Sequence, residues 1–322
     1  MNKMTNSNAP KVTIVIVPRE RHSLILRCVE HIYAFTPQPF NLIVVDPNGP
    51  KEISEGLKKW EAKHSNLKVL RSDKFLFPYE AKNWAIENLS PETEWVVFLD
   101  NDVMVSPHFL AWMLKAVQET GARVVHPLYL IQQAGGDTSI HMADGVIQKG
   151  QKNGKHLIQP IMNFVGMNIA NSGKFVRKDS GFLEFHAFMV RRDLLNELGK
   201  FEPMTLSEDV HYSLKLLEKG ERVIFEPNAV ITYIAGPPFE KYDLPYYRFR
   251  WDPKKGIESS NWLKKRWPNV LEAYWNIKLK WMHFHRQRIE PWFPIVTFYK
   301  HYAPESRTVR RIGRMLPVLN QL

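Results

Sequence analysis

The stretch Trp95-Val96-Val97-Phe98-Leu99-Asp100-Asn101-Asp102-Val103 decides how this chain is read. Its uninterrupted apolar run has the pattern of a strand buried on both faces, as in the parallel sheet of an α/β protein. The run ends abruptly in two carboxylates, Asp100 and Asp102, bracketing Asn101. Acids at the carboxyl end of such a strand lie where open α/β sheets place their ligands. Hard divalent cations take oxygen ligands, and a cation held there can bridge to phosphate. The competing reading is a polar turn leading into a helix, with Ser106 as N-cap and Pro107 as first helical residue. The acid pair alone does not choose between the two.

Outward from that stretch, strands and helices alternate. Strands are expected at Val12–Val17 and at residues 42–45, 67–70 and 123–125. Helices are expected at 23–35, 53–64, 78–89 and 107–119. The first of them carries Leu24, Cys28, Ile32 and Phe35 along one stripe. Such alternation means βαβ units with right-handed crossovers, hence a mostly parallel sheet flanked by helices. From 132 to 178 the pattern blurs into Gly, Asn and Gln, and irregular strands and loops are expected. A strand at 182–190 and a helix at 192–198 follow. Ser207 is the expected N-cap of a helix with Val210, Leu214 and Leu217 on its apolar stripe, closed by Lys219 and Gly220. Strands at 223–225 and 230–233 complete the region.

Composition sets bounds. The chain has 322 residues and a single cysteine, Cys28, which excludes an internal disulfide and fits a reducing compartment. The first ten residues are polar, without a signal-peptide core. The long uncharged stretch 156–173 carries Gln159, Pro160, Asn163, Asn168 and Asn171, which disqualify it as a membrane span. A cytoplasmic protein is expected, one that could sit at the inner face of a membrane without crossing it. The net charge of +11 falls entirely in residues 241–322, which hold 17 Lys and Arg against 6 Asp and Glu. Six tryptophans also lie there: Trp251, Trp262, Trp267, Trp275, Trp281 and Trp292. With turn residues around 234–238, two regions are expected: 1–235, and a basic, aromatic, mainly helical extension, 236–322.

Other candidates are weaker when taken singly. Asp46 closes the second strand and could accept from a base or ribose, but Asp46-Pro47-Asn48-Gly49 is also rich in turn formers. Glu208 and Asp209 open a helix, where acids meet the dipole favourably; the alternative is a general base. His186, His211 and the pair His283 and His285 read more readily as structural residues than as ligands. Lys82 is either a solvated charge or a point charge for phosphate. No Gly-x-Gly-x-x-Gly follows the first strand and there is no Walker A sequence, which removes the common dinucleotide and P-loop readings.

Taken in order, these segments resemble the family 2 glycosyltransferases. Pro18 ends the first strand, Val45-Asp46 the second, Ala81-Lys82-Asn83 looks like the family's Ala-Arg-Asn, and Leu99-Asp100-Asn101-Asp102 like its Asp-x-Asp. Phe188 to Arg192, Gly199-Lys200-Phe201, Glu208-Asp209, Leu216 to Gly220 and Glu226-Pro227 follow in family order. The chain departs from the family at Arg19-Glu20-Arg21, after Pro18, and at Tyr233, where the family often has a histidine. The resemblance implies a GT-A (Rossmann-like) fold and an inverting glycosyltransferase using a nucleotide-diphosphate sugar, a UDP-sugar in the first instance. On that basis Pro18, Glu20, Asp46, Lys82, Asp100 and Asn101 would bind the donor. Asp102, Asp100 and His211 would bind Mn²⁺ or Mg²⁺, and Asp209, or Glu208 in its place, would be the base. The acceptor would be a glycan or a lipid-linked molecule.

The basic, aromatic tail has three readings: a packed helical extension, an anionic membrane contact helped by residues 307–319, or a nucleic-acid surface. The last, and a non-catalytic carbohydrate-binding protein on the same fold, are the alternatives to the enzyme. Nucleic acid is not the expected partner.

Overall fold

The computed structural model describes residues 11–133, 136–152, 155–236, 238–270 and 272–290. The expectations for residues 307–319 and for Trp292 lie outside them.

The amino-terminal half alternates as expected: β1 (Val12–Val17), α1 (Ile25–Phe35), β2 (Asn41–Pro47), α2 (Lys51–Lys63), β3 (Leu67–Ser72), α3 (Pro78–Glu87) and β4 (Trp95–Asp100). β1, β2 and β4 are apolar runs because both of their faces are covered, whereas the edge strand β3 exposes Lys68 and Arg71; Val96 to Leu99 are completely buried. Next come β5 (Val103–Val105), α4 (Phe109–Thr120), β6 (Val124–Gln132) and β7 (Thr138–Met142). The chain continues with β8 (Gly145–Lys152), β9 (Lys155–Met162), a 3₁₀ turn (Ile169–Lys174) and β10 (Lys178–Ser180). Then follow β11 (Ala187–Arg191), α5 (Arg192–Leu198), α6 (Glu208–Glu218) and β12 (Val223–Ile234). Helices α7 (Asp243–Arg250), α8 (Pro253–Arg266) and α9 (Glu272–Gln287) make the described part of the carboxyl-terminal region helical, as expected.

The main sheet has the order β10-β12-β6-β11-β4-β1-β2-β3. β3, β2, β1 and β4 run parallel, and so do β6 and β12; β11 is antiparallel to both of its neighbours. The sheet is therefore mostly parallel, with β11 inserted beside the acid-bearing strand.

Several local expectations fail for identifiable reasons. Ser106 does not cap a helix. It extends the pairing of β5 with β12, donating its N–H to Val230 O at 3.0 Å, and α4 starts only at Phe109 after a left-handed His108. Ser207 does not cap α6 with its side chain either. It adopts φ +59°, and its hydroxyl is buried without a hydrogen-bond partner. The two strands expected at 223–225 and 230–233 are one, β12, interrupted by a register shift between Glu226 and Val230 that accommodates Pro227. The segment 132–178 is more regular than expected: β8 and β9 pair antiparallel from Gly145–Met162 to Lys152–Lys155 as a separate sheet.

The carboxyl-terminal helices share the core of the sheet. Leu263 and Trp267 pack in its largest apolar cluster. Asp243 of α7 accepts the backbone N–H groups of His22 and Ser23, at 2.7 and 3.0 Å, and the Ser23 hydroxyl at 2.6 Å. It thus satisfies donors at the head of α1, a helix with no cap of its own. Arg21 in turn donates to the carbonyls of Ile234, Gly236 and Pro238. The lysine and arginine excess of this region therefore coexists with a tightly packed inner face.

His126 on β6 supplies a test of the core. Its ring stacks between Tyr129 and Phe225, each 5.4 Å away, and burial pushes its pKa down to about 4. The unfolded chain holds the proton up to an ordinary pKa of about 6.5. The stabilisation from a neutral His126 is therefore complete above that value and lost as pH falls toward 4. Denaturant titrations of His126→Phe should show a shallower loss of stability between pH 6.5 and 4 than wild type, by up to about one proton. Parallel curves would remove His126 from the acid response.

Candidate functional site

The acid pair sits where β4 ends. Asp100 N–H donates to His186 O at 3.0 Å and Asn101 N–H to Val17 O at 2.9 Å, so the turn is tied to both flanking strands. Asn101 spends its side chain on the loop after β1, accepting from Arg19 N at 3.1 Å and donating to Arg21 O. It is a clamp that brings Pro18, Arg19 and Glu20 against the acids.

The two acids have opposite surroundings. Asp100 Oδ2 accepts from Arg19 Nη1 at 2.9 Å and from His186 Nδ1 at 3.0 Å. Burial opposes its charge, but Arg19 and the His186 hydrogen bond hold its carboxyl below the usual range. Asp102 has no such help: both carboxylate oxygens are buried without a hydrogen-bond partner. Burial and the charges of Asp100 and Glu20 push its carboxyl well above the ordinary carboxylate range. An orphaned carboxylate beside a second one fits a bound cation, and its oxygen donors suit Mg²⁺ or Mn²⁺. Asp100, Asp102 and His186 have ligand atoms within 4.8 Å of one another; so do His141, Glu184 and His186.

The remaining candidates are distributed around this centre. Glu20 is fully buried, with Oε1 3.4 Å from His285 Nδ1 on α9. Lys82 is not a solvated charge. It is 1% exposed, its Nζ lies 4.8 Å from the Phe185 ring centroid, and its nearest acid is Glu208 at 3.8 Å. Burial lowers its pKa against the raising fields of Glu208 and Asp100. Asp209, next to Glu208 in the first turn of α6, lies 3.5 Å from Lys278 of α9. The left-handed Ser207 immediately precedes this pair, a strain of the kind that collects at functional sites.

Two candidates stand apart. Asp46 uses both oxygens in its own turn, accepting from Gly49 N at 3.1 Å and Ser54 Oγ at 2.8 Å. Gly49 is required there, because a Cβ would lie 2.1 Å from Asp46 Oδ1. His211 accepts at Nδ1 from Trp267 Nε1 at 3.0 Å, which leaves its proton on Nε2. Burial pushes its pKa down to about 3. It belongs to neither ligand group among the described residues; it is a packing residue between α6 and α8.

Sequence reasoning missed Arg19, His141 and Glu184, and ranked His186 as structural. The alternation of Glu184 and His186 was a usable signal. His141 was not: a histidine in a short strand carries no signature.

No curated protein matches the chain in sequence. Among solved structures, GalNAc-T7 with UDP, GalNAc and Mn²⁺ superposes with TM-score 0.54 at 17% identity, over 90% of this chain and 57% of that one. The chain thus spans little more than half the length of that relative. The mannosyltransferase PcManGT from Pyrobaculum calidifontis, in complex with GDP-Man and Mn²⁺, gives TM-score 0.51 at 16% identity. That match covers 97% of this chain and 86% of PcManGT. At such identities the likeness is one of fold, and the expected GT-A architecture is borne out. The model of the family described as "Glycosyl transferase family 2" matches residues 13–199, more than half of the chain and the part that carries the acid pair, so the protein belongs to glycosyl transferase family 2.

Proposed function

We propose that the protein transfers a sugar, with inversion, from a nucleotide-diphosphate sugar to an acceptor hydroxyl. The observation that carries this is Asp102, buried and unpartnered beside Asp100 at the carboxyl end of a central strand. Asp102 and Asp100 would hold Mn²⁺ or Mg²⁺, which supplies Lewis-acid stabilisation of the charge on the departing diphosphate. Pro18 and Glu20 line the donor side with Asp100 and Asn101. Asp46, on the neighbouring strand, retains lone pairs for a base N–H, and a UDP-sugar remains the preferred donor. His186 and Arg19 keep Asp100 ionised and oriented.

Asp209 is assigned as the base: it accepts the acceptor's proton while the oxygen attacks the anomeric carbon opposite the breaking bond. Glu208 is committed to Lys82, the buried cation whose field also reaches Asp100. The pair would hold α3 and α6 in register with the donor site. Asp209 also has a cation, Lys278 at 3.5 Å, but on a part-exposed side chain where Lys82 is buried, and on that difference Asp209 is put first.

No described helix is long and apolar enough to cross a membrane. A surface contact is favoured by α9, where Ile277, Trp281 and Phe284 lie on one exposed stripe beside exposed Lys280. Trp251 and Trp267 are buried and are not available to stack nucleic-acid bases. With +11 charges in residues 241–322, the stripe suits an anionic lipid surface, from which a lipid-linked acceptor would be drawn.

Three measurements test this reading. Calorimetry with UDP and Mn²⁺ should show metal-dependent binding, largely lost in Asp102→Asn; equal affinity with and without metal removes Asp102 from the cation site. Asp209→Asn should keep donor binding and lose roughly 10²–10⁴-fold in transfer rate, whereas Glu208→Gln should also disturb the melting temperature. Normal transfer by Asp209→Asn with a defect in Glu208→Gln would exchange the two roles. Sedimentation with phosphatidylglycerol vesicles should recover wild type at low salt and less of a Trp281→Ala, Phe284→Ala variant. Failure of wild type to co-sediment would end the membrane reading.

A further inference from the structure

Beside the acid pair lies a second ligand group, which shares His186 with it and adds His141 and Glu184, two residues the transfer reading does not use. His141 stands on β7, and Glu184 and His186 on the segment entering β11. Glu184 Oε2 is 3.5 Å from His186 Nε2, and Glu184 Oε1 is 3.7 Å from His141 Nε2. Both separations exceed the ordinary hydrogen-bond range, and both Nε2 atoms are buried without a hydrogen-bond partner.

The hydrogen bond on the far side of His186 fixes its tautomer. Nδ1 lies 3.0 Å from Asp100 Oδ2, which as a carboxylate only accepts, so the proton is on Nδ1. Nε2 therefore presents a lone pair toward the oxygens of Glu184. Two lone pairs facing each other in a buried place repel, unless a positive centre lies between them. The observed separations are also close to the edge of a ligand tetrahedron, about 3.3 Å for bonds of roughly 2.0–2.1 Å. An imidazole whose second nitrogen donates to a carboxylate is the arrangement that orients a metal-bound histidine. His141 is only partly buried, so one side of the group stays open.

We propose that His141, Glu184 and His186 form a cation site distinct from Asp100–Asp102, taking a zinc-class transition metal through two imidazole nitrogens and one carboxylate oxygen. Ligand chemistry keeps the two sites apart. The all-oxygen pair suits Mg²⁺ or Mn²⁺, whereas imidazole favours Zn²⁺ and its neighbours in the series. Asp100 links them, because the oxygen that accepts from His186 belongs to the carboxylate at the first site.

The test uses the full chain, stripped of metal, and Co²⁺ as a visible-absorption probe that Zn²⁺ displaces. Wild type should bind Co²⁺ with the intense d–d bands of a low-coordinate nitrogen-ligated ion. His141→Ala and Glu184→Gln should weaken Zn²⁺ binding by more than about 100-fold, beyond the usual cost of losing an outer partner. Because His141 is partly exposed, its variant should melt at the wild-type temperature and retain Mn²⁺-dependent UDP binding. Asp102→Asn should keep the Co²⁺ bands. Absence of the bands in wild type, or unchanged Zn²⁺ affinity in His141→Ala, would overturn the proposal. Loss of the bands in Asp102→Asn would do so too, since all the ligands would then serve one cation. None of these readouts requires sugar transfer, so the site can fail while the transfer reading stands, and the reverse.

Discussion

Burying carboxylates at the end of a sheet is costly unless positive charge is brought to them, by several kcal/mol for each ion. Asp100, Asp102, Glu20 and Glu184 all lie buried at the carboxyl edge of β4 and its neighbours. The chain answers in two ways. Arg19, placed by the Asn101 clamp, meets Asp100 directly, and its guanidinium carbon lies 5.4 Å from the Tyr233 ring centroid. The Asp102 carboxylate has no hydrogen-bond partner among the described residues, and the fields of Arg19 and Arg21 do not offset its burial. The first arrangement makes the loop after β1 part of the fold; the second leaves a binding capacity that a mobile cation can fill.

The same demand explains why the carboxyl-terminal helices are not an appendage. His285 reaches Glu20 from α9, while Trp251 stacks on the His285 ring at 3.9 Å with the planes 7° apart. Tyr247 O–H lies 2.9 Å from His285 Nδ1. A basic, aromatic segment thus turns aromatics and imidazole toward the acids, while Trp281 and Phe284 face outward. Composition alone could count the charges and rings in this segment. It could not say which of them faced which way, because the division depends on how α9 rotates against α7 and α8.

The parallel half of the fold was legible because both faces of β1, β2 and β4 are buried, so the sequence carries continuous apolar runs with turn residues between them. What was illegible depends on partners distant in sequence. β5 is three residues long and exists because β12 pairs with it across more than a hundred positions. Ser106 looked like a helix cap for want of that partner. His211 looked available to a metal until Trp267, 56 residues later, occupied its Nδ1. The acid pair and the acids of α6 were visible because each sits within a few residues of its own structural signal. The cluster of His141, Glu184 and His186 was not, because β7 and the segment entering β11 are brought together only through their common partner β6.

Tyr233 shows how one departure reorganises the centre. Its ring lies 4.1 Å from that of His186, inclined by 25°, and so walls one side of the imidazole. Where the family often carries a histidine on this strand, the imidazole nearest the acid pair instead comes from the start of β11. Antiparallel pairing of β11 with β4 sets Ala187 opposite Leu99, which puts His186 level with Asp100. Stacking on Tyr233 fixes the plane of the ring, and Asp100 fixes its tautomer. The ring is then rigid, neutral and buried, with one nitrogen engaged and the other open. Burial and the Arg19 charge both lower its pKa, so the open nitrogen keeps its lone pair. The histidine at the start of β11 therefore presents its open basic atom toward Glu184, while its other nitrogen faces Asp100.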